Sequence, residues 1–137
     1  MREKKIWGIK IHIATDTGGL PHGIYVSTAS MGDRDGARHL IAGAWPHLSG
    51  VLKVLVDGGY TGQEFAEDVK WLIGAEVEVA KRNELHTFKV IPKRWVVERS
   101  FAWLDKCRRL WKNCERKLHT TLQMISLSFI SILLKRY

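Results

Sequence analysis

Asp57 closes the run Val51-Leu52-Lys53-Val54-Leu55-Val56 and precedes Gly58-Gly59-Tyr60, and 41 residues later Glu98 lies in the basic, tryptophan-bearing stretch Arg94-Trp95-Val96-Val97-Glu98-Arg99. One carboxylate at a strand end and one on a helix can share divalent metal ions. Held that way in a basic chain, such ions point to phosphoryl chemistry on nucleic acid. In open α/β sheets ligands collect beyond the carboxyl ends of strands, and the glycines after Asp57 leave space for a metal or phosphate to approach. An aspartate that merely caps the next helix has the same setting, and the motif alone fits either role. Around Glu98, helical geometry of about 100° per residue puts Arg94, Glu98, Ala102, Asp105 and Arg109 on one stripe. Val97, Phe101, Leu104 and Trp111 fall on a second stripe, expected to face the core. Cationic neighbours of Glu98 can hold phosphates. Spacing alone favours the plainer account, an i,i+4 surface pair of Arg94 with Glu98 that contributes about 0.3–0.5 kcal/mol.

The elements that position these residues follow from hydrophobic periodicity. Residues 6–15 alternate, with Ile9, Ile11 and Ile13 on one face and Lys10 and His12 on the other, as in a half-buried strand. Asp16-Thr17-Gly18-Gly19 supplies a turn, and residues 23–30 form the return strand of an antiparallel hairpin. Asp33 or Asp35 is expected to cap a short helix running through Leu40 and Ala44. The apolar run 51–56 reads as a central strand buried on both faces. Residues 63–73 have a helical period, 76–80 form a short strand, 81–92 a loop, and helices follow over 93–111 and 121–135. The fold class is α/β, a mixed sheet flanked by helices.

The 137 residues suit one domain, with 45% apolar residues for a core. The net charge of +8 is uneven: residues 81–117 hold 12 basic and 4 acidic side chains, and the remainder is neutral. A localised basic stripe is the footprint of a polyanion binder. Cys107 and Cys114 match neither a zinc nor a disulfide pattern and suggest two apolar residues on one helix face in a reducing compartment. No signal-peptide core precedes Trp7. The apolar run 122–134 is too short to span a bilayer and suits a buried or partner-facing helix, so no membrane role is expected.

Three strings carry a resemblance: residues 5–17 (KIWGIKIHIATDT), Val56-Asp57-Gly58-Gly59-Tyr60, and residues 94–104 (RWVVERSFAWL). Over essentially the whole chain they resemble the C-terminal two thirds of the catalytic domain of DDE transposases of bacterial insertion sequences, in the insertion-sequence-five group. The resemblance implies a ribonuclease H-like fold and a D, D, E triad holding two Mg²⁺ (or Mn²⁺) ions for cleavage and strand transfer of DNA. Asp57 matches the second acid and Glu98 the third. Arg94 matches the arginine of the family's tyrosine–arginine–glutamate–lysine signature. Ile91 stands where that tyrosine is expected, and Asp105, beside Lys106, where the lysine is.

The resemblance places the strand bearing the first catalytic aspartate upstream of residues 5–15. The resemblance therefore implies a partial catalytic domain, a truncated copy, a remnant or a frameshift product, expected to be inactive by itself. Without that strand the edge at residues 6–15 is expected to be open to pairing. Asp16, in a turn, and Asp33 and Asp35, as helix caps, are poor substitutes. The DNA-backbone candidates are Lys81, Arg82, Lys93, Arg99, Lys106, Arg108, Arg109 and Lys112, with Arg116 and Lys117 beyond them. Implied partners are DNA (element ends and target) and a second copy or a full-length transposase, in a cytoplasmic, nucleoid-associated setting. A non-catalytic module that binds DNA or a transposase is the competing reading. The six histidines form no ligand pair, and Trp95, Trp103 and Trp111 suit core packing.

Overall fold

The computed structural model describes residues 8–80, 94–110 and 114–136, without the side chains of Arg94 and Trp95. Strands β1 (Ile9–Thr15) and β2 (Pro21–Thr28) pair antiparallel, with Ile11 opposite Val26 and His12 opposite Tyr25. Helix α1 (Asp33–Leu48) crosses to β3 (Lys53–Val56), then a one-turn 3-10 helix at Gly58–Tyr60 leads to α2 (Gln63–Ile73) and β4 (Glu76–Val79). β3 and β4 pair parallel. Helices α3 (Arg94–Asp105) and α4 (Leu118–Arg136) close the chain.

The mixed α/β character agrees with the sequence reading, but the described strands form two two-stranded sheets, β1–β2 and β3–β4. α1 runs along β1: Gly36 sits on the His12 ring, and Gly23, the partner of Ala14, lies under Leu40 and Ala44. β3 starts where α1 ends, Val51 donating its N–H to Leu48 O at 3.0 Å, and finishes near the start of α1, where a Cβ at Gly62 would lie 3.4 Å from Arg34. β3 therefore runs opposite to β1.

Two apolar clusters hold these layers. Leu40, Ile41, Phe65, Val69 and Ile73 join α1 to α2 and take Val54 and Val56 of β3 against them. Val26, Leu104, Ile125 and Phe129 join the hairpin's other face to α3 and α4, with Ile9, Ile11 and Ile13 packed on them. The alternation of β1 is thus used on both faces, isoleucines toward α4 and His12 toward α1.

Several expectations change. β3 is not buried on both faces, because Lys53 and Leu55 are exposed and only Val54 and Val56 face a helix layer. α1 is capped at Gly32 by no side chain: Asp33 is taken by Lys10 Nζ at 2.9 Å and Asp35 by Arg38 Nη1 at 2.9 Å. α3 ends at Asp105, so Arg109 leaves the Glu98 stripe for a one-turn 3-10 helix at Arg108–Leu110. For the same reason Cys107 and the exposed Cys114 do not share a helix face. The buried stripe of α3 is Val96, Ser100 and Leu104, while Val97 and Phe101 are half-buried. Ser100 is accommodated because its hydroxyl donates to Val96 O at 3.2 Å. α4 has 19 residues and is by length and composition apolar enough to cross a membrane, although Thr121, Ile125 and Phe129 are buried in the core.

His12 is buried, its Nε2 3.1 Å from Ser27 Oγ. Burial lowers its pKa from 6.5, the Asp33 charge opposes that shift and the Lys10 charge adds to it. Below pH 6.5 the unfolded chain takes up this proton first, so stability falls as the pH drops through that region until the buried ring itself protonates. The urea midpoint is expected to be lower at about pH 5 than at about pH 7.5, with the difference reduced in His12→Gln. Equal pH slopes in the two proteins would assign the effect to other groups.

Candidate functional site

Asp57 stands at the end of β3, where the chain turns into the 3-10 helix, and its Oδ1 accepts the Gly59 N–H at 3.0 Å. This cap fixes the carboxylate's direction and leaves Oδ2 with no hydrogen bond among the described residues. Asp57 is exposed. Glu98 is exposed in the second turn of α3. Both line one cavity of about 1830 Å³ that runs between β1, β3, α1 and α3. The structure thus places the two acids on one space from opposite layers. Among the described residues, however, no group of three histidine, cysteine or acidic side chains is close enough to hold a metal ion.

A further acid reaches the same cavity: Asp16, together with His22. Asp16 is a turn aspartate, as its setting suggested. Its Oδ1 accepts the Gly18 and Leu20 N–H groups at 2.8 and 3.0 Å, and its Oδ2 lies 3.0 Å from His22 Nε2. The His22 hydrogen bond, aided by those two amides, holds the Asp16 carboxyl below its ordinary range. Both oxygens of Asp16 thus have partners within the hairpin. His22 was not singled out from the sequence. The signal was the hairpin itself, since its tight turn and the register shift between Ala14 and Thr15 bring His22 back beside Asp16.

Tyr60, which also lines the cavity, has its hydroxyl pKa raised by burial first and then by the charges of Asp33 and Asp57. It stays a neutral hydrogen-bond donor beside Asp57 over an extended pH range. Arg99 anchors α3 to the hairpin turn: Nη2 donates to Gly18 O at 3.0 Å, and the guanidinium lies 4.8 Å from the centre of the Trp103 ring. Gly19, at φ +91°, makes this possible, because any Cβ there would meet Arg99 Nη2 at 2.6 Å. Trp103 is flanked on α4 by Arg136 at 4.1 Å, so its packing role is joined by cation–π contact.

Of the other cationic candidates, Lys106 and Arg108 are exposed, and Arg109 pairs with Glu115 at 2.9 Å. Lys81, Arg82, Lys93 and Lys112 lie outside the described residues, as does the Arg94 side chain.

The family described as Transposase DDE domain matches residues 2–134. The chain belongs to the DDE transposases of insertion sequences. A curated relative, the putative transposase for insertion sequence element IS402 of Burkholderia cepacia, is 33% identical over 118 residues, which cover 80% of this chain and 55% of the relative. This transposase chain therefore spans about half the length of the relative it matches. No solved structure matches it.

Proposed function

We propose that this chain acts in DNA transposition as a single partial catalytic domain of ribonuclease H-like type, with Asp57 and Glu98 as two carboxylate ligands of Mg²⁺ or Mn²⁺. The observation that carries the reading is the convergence of these two acids on one cavity from β3 and α3. Hard oxygen donors suit either ion, and Asp57 Oδ2 is available while Oδ1 is held by Gly59. Bound there, the ions would supply Lewis acidity for in-line attack on a DNA phosphodiester. The chain's own residues orient the donors: the Gly59 amide sets Asp57, Arg99 fixes α3 and hence Glu98, and Tyr60 offers a proton-bearing hydroxyl beside Asp57. Arg94 is assigned a supporting role. The phosphate contacts are assigned to Lys81, Arg82, Lys93, Arg99, Lys106, Arg108, Arg109 and Lys112. Element ends and target DNA are the proposed substrates, with a second copy or a full-length transposase as protein partner in the bacterial cytoplasm, near the nucleoid.

The direct test is Mn²⁺ titration followed by NMR. Paramagnetic broadening is expected to centre on residues near Asp57 and Glu98 and to vanish in Asp57→Ala. Broadening that ignores the substitution sinks the metal assignment.

Among the described residues no group of three histidine, cysteine or acidic side chains forms a metal site, which favours a second reading, a module that binds DNA or a transposase without cutting. Plasmid nicking separates the two. Metal-dependent nicking lost in Asp57→Ala establishes the catalyst, whereas salt-sensitive DNA binding without nicking, unchanged in Asp57→Ala and Glu98→Ala, establishes the module.

A further inference from the structure

The outer face of α1 and α2 lies away from the cavity that Asp57 and Glu98 line. On α2, Asp68 and Trp71 are one helical turn apart, and on α1, Asp35, His39 and Ala42 follow the same period. These two stripes border a groove of about 370 Å³, with Leu72 between them. Trp71 is 86% exposed, more than any other large apolar side chain among the described residues. His39 is held in place by stacking on Tyr25 of β2, ring centres 5.2 Å apart. Arg38 draws three carboxylates to the groove: Asp35 Oδ1 at 2.9 Å from Nη1, Asp68 Oδ2 at 2.6 Å from Nε and Glu64 Oε1 at 3.6 Å from Nη2. One cation among three anions leaves the rim negative. We infer that this groove binds the basic end of a second copy of the chain, the stretch between α3 and α4 that bears Lys106, Arg108, Arg116 and Lys117.

Charge is the first argument. Residues 8–80 hold five basic and nine acidic side chains, whereas residues 105–117 hold six basic and two acidic ones. Lys106, Arg108, Arg116 and Lys117 are all exposed. The Arg109–Glu115 pair, at 2.9 Å, brings Arg108 and Arg116 to the same end of the molecule. A guanidinium or ammonium lying on the face of Trp71 gains cation–π attraction, and Asp35 and Asp68 beside it supply charge-assisted hydrogen bonds. The groove falls within the range of about 300–1,000 Å³ usual for a binding pocket. DNA is a poor occupant, because its phosphates would face the carboxylates of the rim.

Position is the second argument. The groove belongs to the layer on the His12 side of the hairpin, and Leu104 and Leu110 pack the basic end onto the isoleucine side. A chain therefore turns its groove and its basic end in opposite directions and cannot fill one with the other. Two different surfaces meet in this contact, so copies join head to tail, as a growing row or a ring rather than a symmetric pair. Lys106 and Arg108 are also assigned to DNA phosphates, so DNA competes with the groove for them. The inference rests on the second copy proposed above as a partner and names the surfaces it uses.

The test is sedimentation of the full, nuclease-treated chain at low and high salt. At low salt the average mass is expected to rise with concentration and to fall back as salt screens the contact. Trp71→Ala removes the groove's aromatic wall, and Lys106→Glu with Arg108→Glu reverses the basic end. Each variant alone is expected to associate at least about tenfold more weakly, with an unchanged urea midpoint since all three side chains lie at the surface. The two variants mixed retain one intact groove and one intact basic end between them, and are expected to form a pair that grows no further. A wild-type chain that stays monomeric up to about 0.5 mM overturns both this contact and the second copy as partner. Association indifferent to Trp71→Ala overturns the groove and leaves the second copy standing. Variants that fail to pair when mixed overturn the head-to-tail arrangement.

Discussion

Phe65→Ala is expected to lower the unfolding free energy by about 3–5 kcal/mol, a large part of the roughly 5–15 kcal/mol that holds a domain of this size folded. Phe65 is 1% exposed and sits where α1, α2 and the cavity meet. Its ring lies 5.8 Å from that of Tyr60, just after Asp57. The loss has two parts, the transfer energy of the ring and the hole left among Leu40, Ile41 and Val69. Urea denaturation reads it as a shifted midpoint with unchanged slope. The contact with Tyr60 adds a local consequence: the turn carrying Asp57 loosens even in the fraction still folded, seen as faster amide exchange at Gly59. A loss below about 1 kcal/mol would mean that the site collapses around the gap and that Phe65 is not the keystone of this cluster.

Gly36→Ala is the second large effect, and its sign runs against helix propensity. Within an exposed helix the change stabilises by about 1 kcal/mol. Here a Cβ would drive into the His12 ring, at Cε1 and Nε2 first and at Nδ1 2.8 Å away. The ring is buried and tied to Ser27, so it has nowhere to turn. Overpacking of this kind costs about 1–3 kcal/mol, occasionally more, and it outweighs the propensity gain. The double variant Gly36→Ala with His12→Ala is expected to be more stable than the sum of the two single changes predicts, by at least about 1 kcal/mol. Simple additivity would show that the two positions do not share the space.

The same pair illustrates what the chain made legible. Periodicity alone located β1, β2, α2 and β4 to within a few residues, because each carries its own local signal: alternation, a glycine-rich turn or an amphipathic repeat. Asp57 at a strand end and an exposed Glu98 were readable for that reason. The surroundings of β3 were not. An apolar run in a sequence says that burial is favoured, but how many neighbours a strand has is fixed by segments far away in the chain. The face of α3 was misjudged by one position, Val96 and Ser100 taking the place of Val97 and Phe101, because the cavity side of that helix is also apolar. Nor could residue spacing show that Arg99 would reach back 81 positions to the Gly18 carbonyl.

Each two-stranded unit is built from contiguous sequence, the hairpin from residues 9–28 and the parallel pair from 53–79 with α2 between its strands. Contacts of short sequence separation form quickly, since little loop entropy is lost in closing them. The local pairings of the two units can therefore form in either order, and as the chain leaves the ribosome the hairpin has the earlier start. α1, which touches both, can settle only when the second is made. Folding is thus expected to end with a docking step whose rate depends on the α1 contacts and hardly on either turn.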